Sequence, residues 1–315
     1  MIVRHLSILC RESFMPHTTV VESTVFHLET GCGQPIVFLH GNPTSSFIWR
    51  AILPDVGRVG RCLAPDLIGM GASGKPEIGY SFADHADYLD AWINALDLPP
   101  LVFVGYDWGA ALAFDWAAHH PDRVRAVAFT EPIVRPLATA EFPEAARAMF
   151  AALRTPEVGE RMVLQENVFI EQALTSTVLR GLRPDELQAY REPYPTPESR
   201  RPMLAWPRMM PLDGQPAEVV ARIEAYDRWL ATSDDVPKLL MTCPPGPGLM
   251  MTPELIDWCR NHIAALELAE LGPAGHHVPE DQSPAIADEL VQWLLRHGLC
   301  EAPMAPRSES VTEDA

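Results

Sequence analysis

Three carboxylate- or imidazole-bearing positions in this 315-residue chain are spaced as a nucleophile, an acid and a base would be. The first is Asp107, within Gly105-Tyr106-Asp107-Trp108-Gly109. Aliphatic and aromatic residues precede it and small apolar residues follow it, so residues 101–117 read as strand, tight turn and helix. That is the form of a nucleophile elbow, whose commoner version is G-x-S-x-G: the reactive side chain stands on a sharp turn, and flanking glycines let backbone and helix pack closely. A lone G-x-D-x-G is usually only a turn, so partners are required. Glu131 follows a stretch at 124–129 that reads as a buried strand, and His276-His277 follow a final strand at 266–271. The chain order is then nucleophile, acid, base. A carboxylate is already ionised at neutral pH and can attack an electrophilic carbon without first losing a proton, as serine must.

The elements needed to position these residues follow from the pattern. Alternation near Thr19 to Leu28 predicts an antiparallel edge pair closing at Gly31 and Gly33. Residues 35–39 form a continuous apolar run of the kind found in buried parallel strands. They end in His40-Gly41-Asn42-Pro43, with Thr44, Ser45 and Ser46 as capping candidates for a helix through Trp49 and Leu53. A strand at 62–65 leads into the glycine-rich loop 66–74, which lacks the Lys-Ser/Thr of a phosphate-binding loop. Ser81 and Asp84 have capping-box spacing ahead of a helical pattern that runs to Leu98. Strand, helix, strand, helix, strand in this order predicts a parallel α/β sheet, whose reactive loops collect at the carboxyl ends of the strands. His40, Asp107 and Glu131 all fall at such ends.

From about 134 to 212 the pattern changes to proline-punctuated helical segments (145–153, 161–174 and 184–190), which predicts an inserted helical cap. Strand 237–242, helix 253–263, strand 266–271 and helix 284–295 then complete a sheet. The expected division is a poorly defined leader at 1–15, a core at 16–133 and 213–299, a cap at 134–212 and a disordered tail at 300–315, with Met15 an alternative start.

Composition narrows the functional classes. The net charge of −18 argues against a nucleic-acid partner, whose phosphates would be repelled. No apolar run approaches the length needed to cross a bilayer, so no membrane partner is expected, and a cytoplasmic monomer is the default. The six cysteines have no C-x-x-C spacing, which points to reduced, mostly structural thiols rather than a metal site or a disulfide framework. Neither a metal nor a cofactor is expected.

Over residues 35–298 the sequence resembles the haloalkane dehalogenases of the α/β-hydrolase superfamily. The likeness is carried by HGNPTSSFIWR, DLIGMGASGKP, VGYDWGAALAFDWA, TEPIVRP, YREPY, RRPMLAWPR and GPAGHHVPED. It implies an α/β-hydrolase fold, a mostly parallel sheet flanked by helices, and hydrolysis of a small halogenated aliphatic substrate to alcohol, halide ion and proton. By this resemblance Asp107 displaces the halide to form an ester, water activated by His276 opens it, and Glu131 orients the imidazole. The Trp108 indole and the Asn42 amide hold the leaving halide, and the backbone N–H groups of both form the oxyanion hole. The acid is assigned to Glu131 because residues 243–246, after the strand at 237–242, read Cys-Pro-Pro-Gly. Ile133, Phe142, Phe150, Phe169, Thr177, Trp206, Pro207 and Leu249 are expected to line the substrate pocket.

Tyr106, His277, Pro279 and Cys243-Pro244 depart from the family's usual residues, and the N-terminal region matches poorly. Three alternatives share parts of the pattern. An epoxide hydrolase would use Asp107 and His276 but needs proton donors, for which Tyr190 and Tyr194 are candidates. A cofactor-free oxygenase resembling the marine luciferase would share GAALAF and the string at 233–238. A non-enzymatic ligand-binding relative would have little need of intact Asp107, Glu131 and His276.

Overall fold

The computed structural model describes residues 17–300. The leader and nearly all of the tail, together with Met15 and Cys10, lie outside the described residues. Eight strands, β1 (His17–Val20), β2 (Ser23–Thr30), β3 (Pro35–Leu39), β4 (Arg61–Pro65), β5 (Leu101–Tyr106), β6 (Val124–Thr130), β7 (Lys238–Thr242) and β8 (Leu266–Glu270), form one sheet in the order β1-β2-β4-β3-β5-β6-β7-β8. β1 and β2 pair antiparallel, as do β2 and β4, while every pair from β4 to β8 is parallel. The α/β-hydrolase fold expected from the sequence is therefore present.

β3, β5 and β7 are buried along their whole length. Strands covered on both faces are largely apolar, which is why they read as runs and not as alternation, and the buried Lys238 at the start of β7 donates its ammonium protons to three backbone carbonyls. Helices α1 (Phe82–Ala95) and α2 (Trp108–His119) flank the sheet, and α1 starts on the capping box predicted at Ser81 and Asp84. The glycine beside the edge pair plays a different part from the one predicted. The β1–β2 turn is made at Val21 and Glu22, with Val21 at φ 52°, so that Val20 pairs with Ser23. Gly31, at φ +78°, instead turns the chain from β2 towards β3, and a Cβ there would sit 2.1 Å from the Gly60 carbonyl oxygen. The helix predicted through Trp49 and Leu53 is two shorter pieces, a 3-10 turn over Ser46–Trp49 capped by Ser45 and a single turn at Leu53–Val56.

Between β6 and β7 the described chain holds no strand of the sheet. It contains α3 (Glu144–Arg154), α4 (Pro184–Arg191), α5 (Arg201–Met209) and α6 (Ala217–Thr232). The helical pattern at 161–174 is two π-helical stretches, Arg161–Gln165 and Phe169–Leu174, separated at Asn167 with φ 53°. α6 was not predicted, and it packs on α2. α7 (Pro253–His262) and α8 (Ser283–Arg296) complete the layers. Among the described residues no helix is long and apolar enough to cross a membrane. Cys62, Cys243, Cys259 and Cys300 are thiols without a bridge.

The segment 134–212, referred to below as the cap, is joined to the sheet layers by buried charge. Glu186 of α4 and Glu280 of the short helical turn Val278–Asp281 before α8 are 3% and 4% exposed. Arg50 donates to both, at 2.7 Å to each, and Arg180 donates to Glu186 at 2.9 Å and also to Glu280. The Tyr190 hydroxyl donates to Glu280. These bonds hold the Glu186 carboxyl down at about 2 against the burial that would raise it. One change tests the network: Glu280→Ala leaves two guanidinium groups and Tyr190 without their shared acceptor. We expect a loss of about 3 kcal/mol in urea unfolding at neutral pH. A loss no larger than that for an exposed pair such as Arg296–Glu289 would show that the network contributes little.

Candidate functional site

Asp107, Glu131 and His40 each stand one residue beyond a strand end, after β5, β6 and β3. Asp107 has φ 53° and Glu131 φ 51°, a left-handed conformation that costs a non-glycine residue about 1–2 kcal/mol. The reward is direction, since the turn aims each carboxylate above the sheet. Close approach then demands glycine on every side of the elbow. A Cβ on Gly105 would lie 2.5 Å from Ala110 Cα, one on Gly109 2.2 Å from the Leu39 carbonyl oxygen, and one on Gly41 2.3 Å from Asp107 Oδ2.

The Asp107 carboxylate is 5% exposed. Its Oδ2 accepts the backbone N–H of Asn42 at 2.9 Å, and the Trp108 backbone N–H also bonds it. The amino end of α2 lies beside it, where the helix dipole favours negative charge. Burial nevertheless dominates and pushes its pKa up to about 6, against the pull of His276 and the two N–H donors. The loop carrying Asn42 is fixed from beneath by His40. Its Nδ1 donates to Gly41 O and its Nε2 accepts Leu67 N–H, both at 2.9 Å, so the ring is a neutral buried strut.

His276 Nδ1 lies 2.9 Å from Glu131 Oε2. Glu131 is 2% exposed, and its two oxygens also accept the N–H groups of Met250 and Met251 at 2.7 and 3.2 Å. Burial acts to lower the His276 pKa, but the hydrogen bond to Glu131 and the charges of Glu131 and Asp107 outweigh it and raise it above the ordinary value. The contact to His276 is thus made by Glu131 and not by the loop after β7. That loop approaches the acid with backbone donors only.

Asp107, His276, Asn42 and Trp108 all border one cavity of about 360 Å³. Its wall is largely apolar and includes Phe142, Phe150, Phe169, Thr177, Pro207 and Leu249, as expected from the sequence. Three methionines, Met149, Met210 and Met250, and the departing residue His277 were not anticipated there. Two expected pocket residues do not reach this wall. Ile133 is 1% exposed, packed in the core, and offers its carbonyl to the Tyr226 hydroxyl. Trp206 is fully buried behind Trp108, the two rings 4.9 Å apart, and only its neighbour Pro207 faces the cavity. Successive helix residues are rotated by about 100°, and here that turn carries Trp206 behind Trp108 and leaves Pro207 on the cavity side.

The cavity therefore joins an ionisable carboxylate, an imidazole backed by an acid, and two side-chain N–H donors in apolar surroundings. Asn42 Nδ2 has one acceptor, the Met203 carbonyl at 3.4 Å, and therefore a second proton to offer. The Trp108 side chain makes no hydrogen bond among the described residues. Neither tyrosine considered as an epoxide-opening donor borders the cavity. The Tyr190 hydroxyl is spent on Glu280, and that of Tyr194 accepts Gly71 N–H at 3.2 Å.

Residues 34–234 match the family model described as the alpha/beta hydrolase fold. A haloalkane dehalogenase of Mesorhizobium japonicum is 47% identical over 87% of this chain and 89% of its own length. One from Agrobacterium fabrum is 45% identical over 85% of this chain and 88% of its own. The chain belongs to the haloalkane dehalogenases. Among solved structures, haloalkane dehalogenase DbeA of Bradyrhizobium elkanii superposes with a TM-score of 0.88 at 42% identity, covering 91% of this chain and 99% of that one. DatA of Agrobacterium tumefaciens gives 0.86 at 43%, covering 90% and 97%.

Two expectations follow from the electrostatics. As pH falls through about 6, Asp107 in the free protein takes up a proton and ceases to be a nucleophile. Single-turnover formation of a covalent ester from a bromoalkane should therefore drop about tenfold per pH unit below that point and be flat above pH ~7. Hydrolysis of the ester needs neutral His276, whose pKa is held up by its hydrogen bond to Glu131, so that step should follow a second ionisation, distinct from that of Asp107. Rapid-quench mass spectrometry separates the two, and identical profiles for both steps would contradict the assignment. Independently, Gly41→Ala should abolish turnover while leaving a folded protein by circular dichroism, since its methyl would occupy the space of the Asp107 carboxylate. Retained turnover would show that the loop can move aside.

Proposed function

We propose that the four groups divide the hydrolysis of carbon–halogen bonds between them as follows. A small halogenated alkane enters the apolar cavity with its halogen between Asn42 Nδ2 and Trp108 Nε1. Asp107 Oδ2 is already held by the Asn42 N–H, which leaves Oδ1 to attack the carbon in line. The new O–C bond forms as the C–X bond breaks, and the halide leaves with the bonding pair. The two side-chain N–H groups stabilise that charge where water is scarce and the dielectric low, which is where such donors are worth most.

A water then attacks the carboxyl carbon of the ester, passing its proton to His276 Nε2. Nδ1 remains bonded to Glu131, so the cation that forms is paired as it appears. The backbone N–H groups of Asn42 and Trp108 are already placed at the carboxylate and receive the charge of the tetrahedral intermediate. Its collapse releases the alcohol, which takes the proton back from His276, and leaves Asp107 carrying the oxygen and the second proton of the water; loss of that proton to solvent restores the carboxylate.

The observation that carries this reading is the coincidence, on one apolar wall, of an ionisable carboxylate with two side-chain N–H donors that have protons to spare. A halide asks for donors and needs no proton, whereas an opening epoxide needs a proton, and neither tyrosine that could supply one borders the cavity: the Tyr190 hydroxyl donates to Glu280 and that of Tyr194 to Met70 Sδ. A cavity of about 360 Å³ accommodates a short haloalkane and falls within the usual range for small-molecule sites.

The test is halide release from a panel of brominated and chlorinated alkanes. Asp107→Ala should abolish it. His276→Phe should form the ester yet not hydrolyse it, giving a stable alkyl adduct on Asp107 by peptide mass spectrometry. Absence of that adduct while the parent protein turns over would remove the two-step assignment. Hydration of an epoxide without any halide release would favour the alternative chemistry.

A further inference from the structure

The two side chains assigned above to the halide are fixed by neither the elbow nor the His40 loop but by one cap helix, α5, and we propose that this helix is the positioning element of the halide site. The inference rests on the reading of Asn42 and Trp108 as halide donors and goes beyond it. Asn42 Nδ2 donates to the carbonyl of Met203, and the Trp108 ring lies 4.9 Å from that of Trp206 with an interplanar angle of 31°. Met203 and Trp206 are three residues apart on α5, hence on one face of it.

The sequence of α5 explains why the Met203 carbonyl is available. In an unbroken helix it would accept the N–H of the residue four places on, which is Pro207. Proline has no N–H, so this carbonyl is released from the helix and meets the Asn42 amide instead. Because a carbonyl accepts and cannot donate, it selects the nitrogen end of Asn42 and turns that amide so that its remaining proton serves the cavity. Asn42 Oδ1 is left buried without a partner, consistent with an orientation set by the nitrogen alone.

Trp206 is held from its other side. His85 stacks on it at 4.0 Å and 20°, while Phe82, one turn earlier on α1, meets Trp108 at 6.0 Å. His85 is 1% exposed with neither ring nitrogen bonded, and burial pushes its pKa down to about 3, so it is a neutral flat ring in this stack. The Trp206 N–H is likewise buried without an acceptor. Both rings act by shape: they fill the space behind the Trp108 indole and leave it one plane at the cavity wall.

Single-turnover kinetics tests the proposal. In Trp206→Leu, cleavage of a bromoalkane should slow about tenfold and bromide affinity, read by indole fluorescence, should fall about as much. Hydrolysis of the ester should be unchanged, a split that general loosening of the cap would not produce. Trp206→Phe should recover most of the loss. Pro207→Ala returns an N–H to compete for the Met203 carbonyl and should again slow cleavage without slowing hydrolysis. If Trp206→Leu does not fold, Pro207→Ala and His85→Phe carry the test. Cleavage and bromide binding within about twofold of the parent in the folded variants, or both steps falling together, would overturn the proposal. Trp108→Phe and Asn42→Ala serve as controls. If these also leave cleavage unchanged, the halide-site reading falls too, whereas if they slow it and the α5 variants do not, only the role of α5 falls.

Discussion

The structure is organised around one costly requirement, a carboxylate kept out of bulk water yet still able to ionise. Asp107 must be dry for its charge, and for the donors around it, to count for much in a reaction. Burial alone would neutralise it, as the upward shift to about 6 records. The opposing pull comes from an imidazole paired to a second buried acid, from two backbone N–H groups and from the start of α2. The strained turns at Asp107 and Glu131, and the glycines that permit close approach, are parts of the same solution.

The site is also shared between two layers of the chain. Asp107, Asn42, Glu131 and His276 come from loops above the sheet and Trp108 from the first turn of α2, whereas the apolar wall comes largely from helices between β6 and β7. The ion network of Arg50, Arg180, Glu186 and Glu280 fastens these layers on one side of the cavity. On the same side Asp281 accepts the N–H groups of Leu179, Arg180 and Gly275, the last of them adjacent to His276. The loop bearing the base is thus tied to the cap by a carboxylate that takes no part in the chemistry.

What the sequence made legible was whatever depends on local chain. A continuous apolar run must be a covered strand, so β3, β5 and β7 could be read within a residue or so, and the residues that follow their ends could be named as candidates. The resemblance then supplied roles for them. What could not be read depends on direction or on distant partners. Trp206 and Ile133 are apolar residues beside pocket residues, and only packing decides that one braces Trp108 and the other joins the core. The need for glycine at position 41 comes from a side chain 66 residues later in the chain, Asp107, and has no local signal. The charged network joins residues more than 200 positions apart, and in the sequence they look like ordinary solvated charges. α6 escaped although its buried residues, Val219, Ile223, Tyr226 and Leu230, recur at helical spacing, because other apolar residues such as Val220 and Trp229 lie off that face and blur the pattern.

Met149, Met210 and Met250 give the cavity a wall with unusual give. Thioether side chains are unbranched and polarizable, and they change rotamer at little cost. Such a lining conforms to the outline of whatever occupies it and makes good dispersion contacts with large, soft atoms such as bromine and iodine. The rigid half of the site, with its turns and paired charges, fixes where a bond is broken. The compliant half leaves the shape of the rest of the molecule loosely specified, so reaction geometry and molecular selectivity reside in different side chains and can be altered separately.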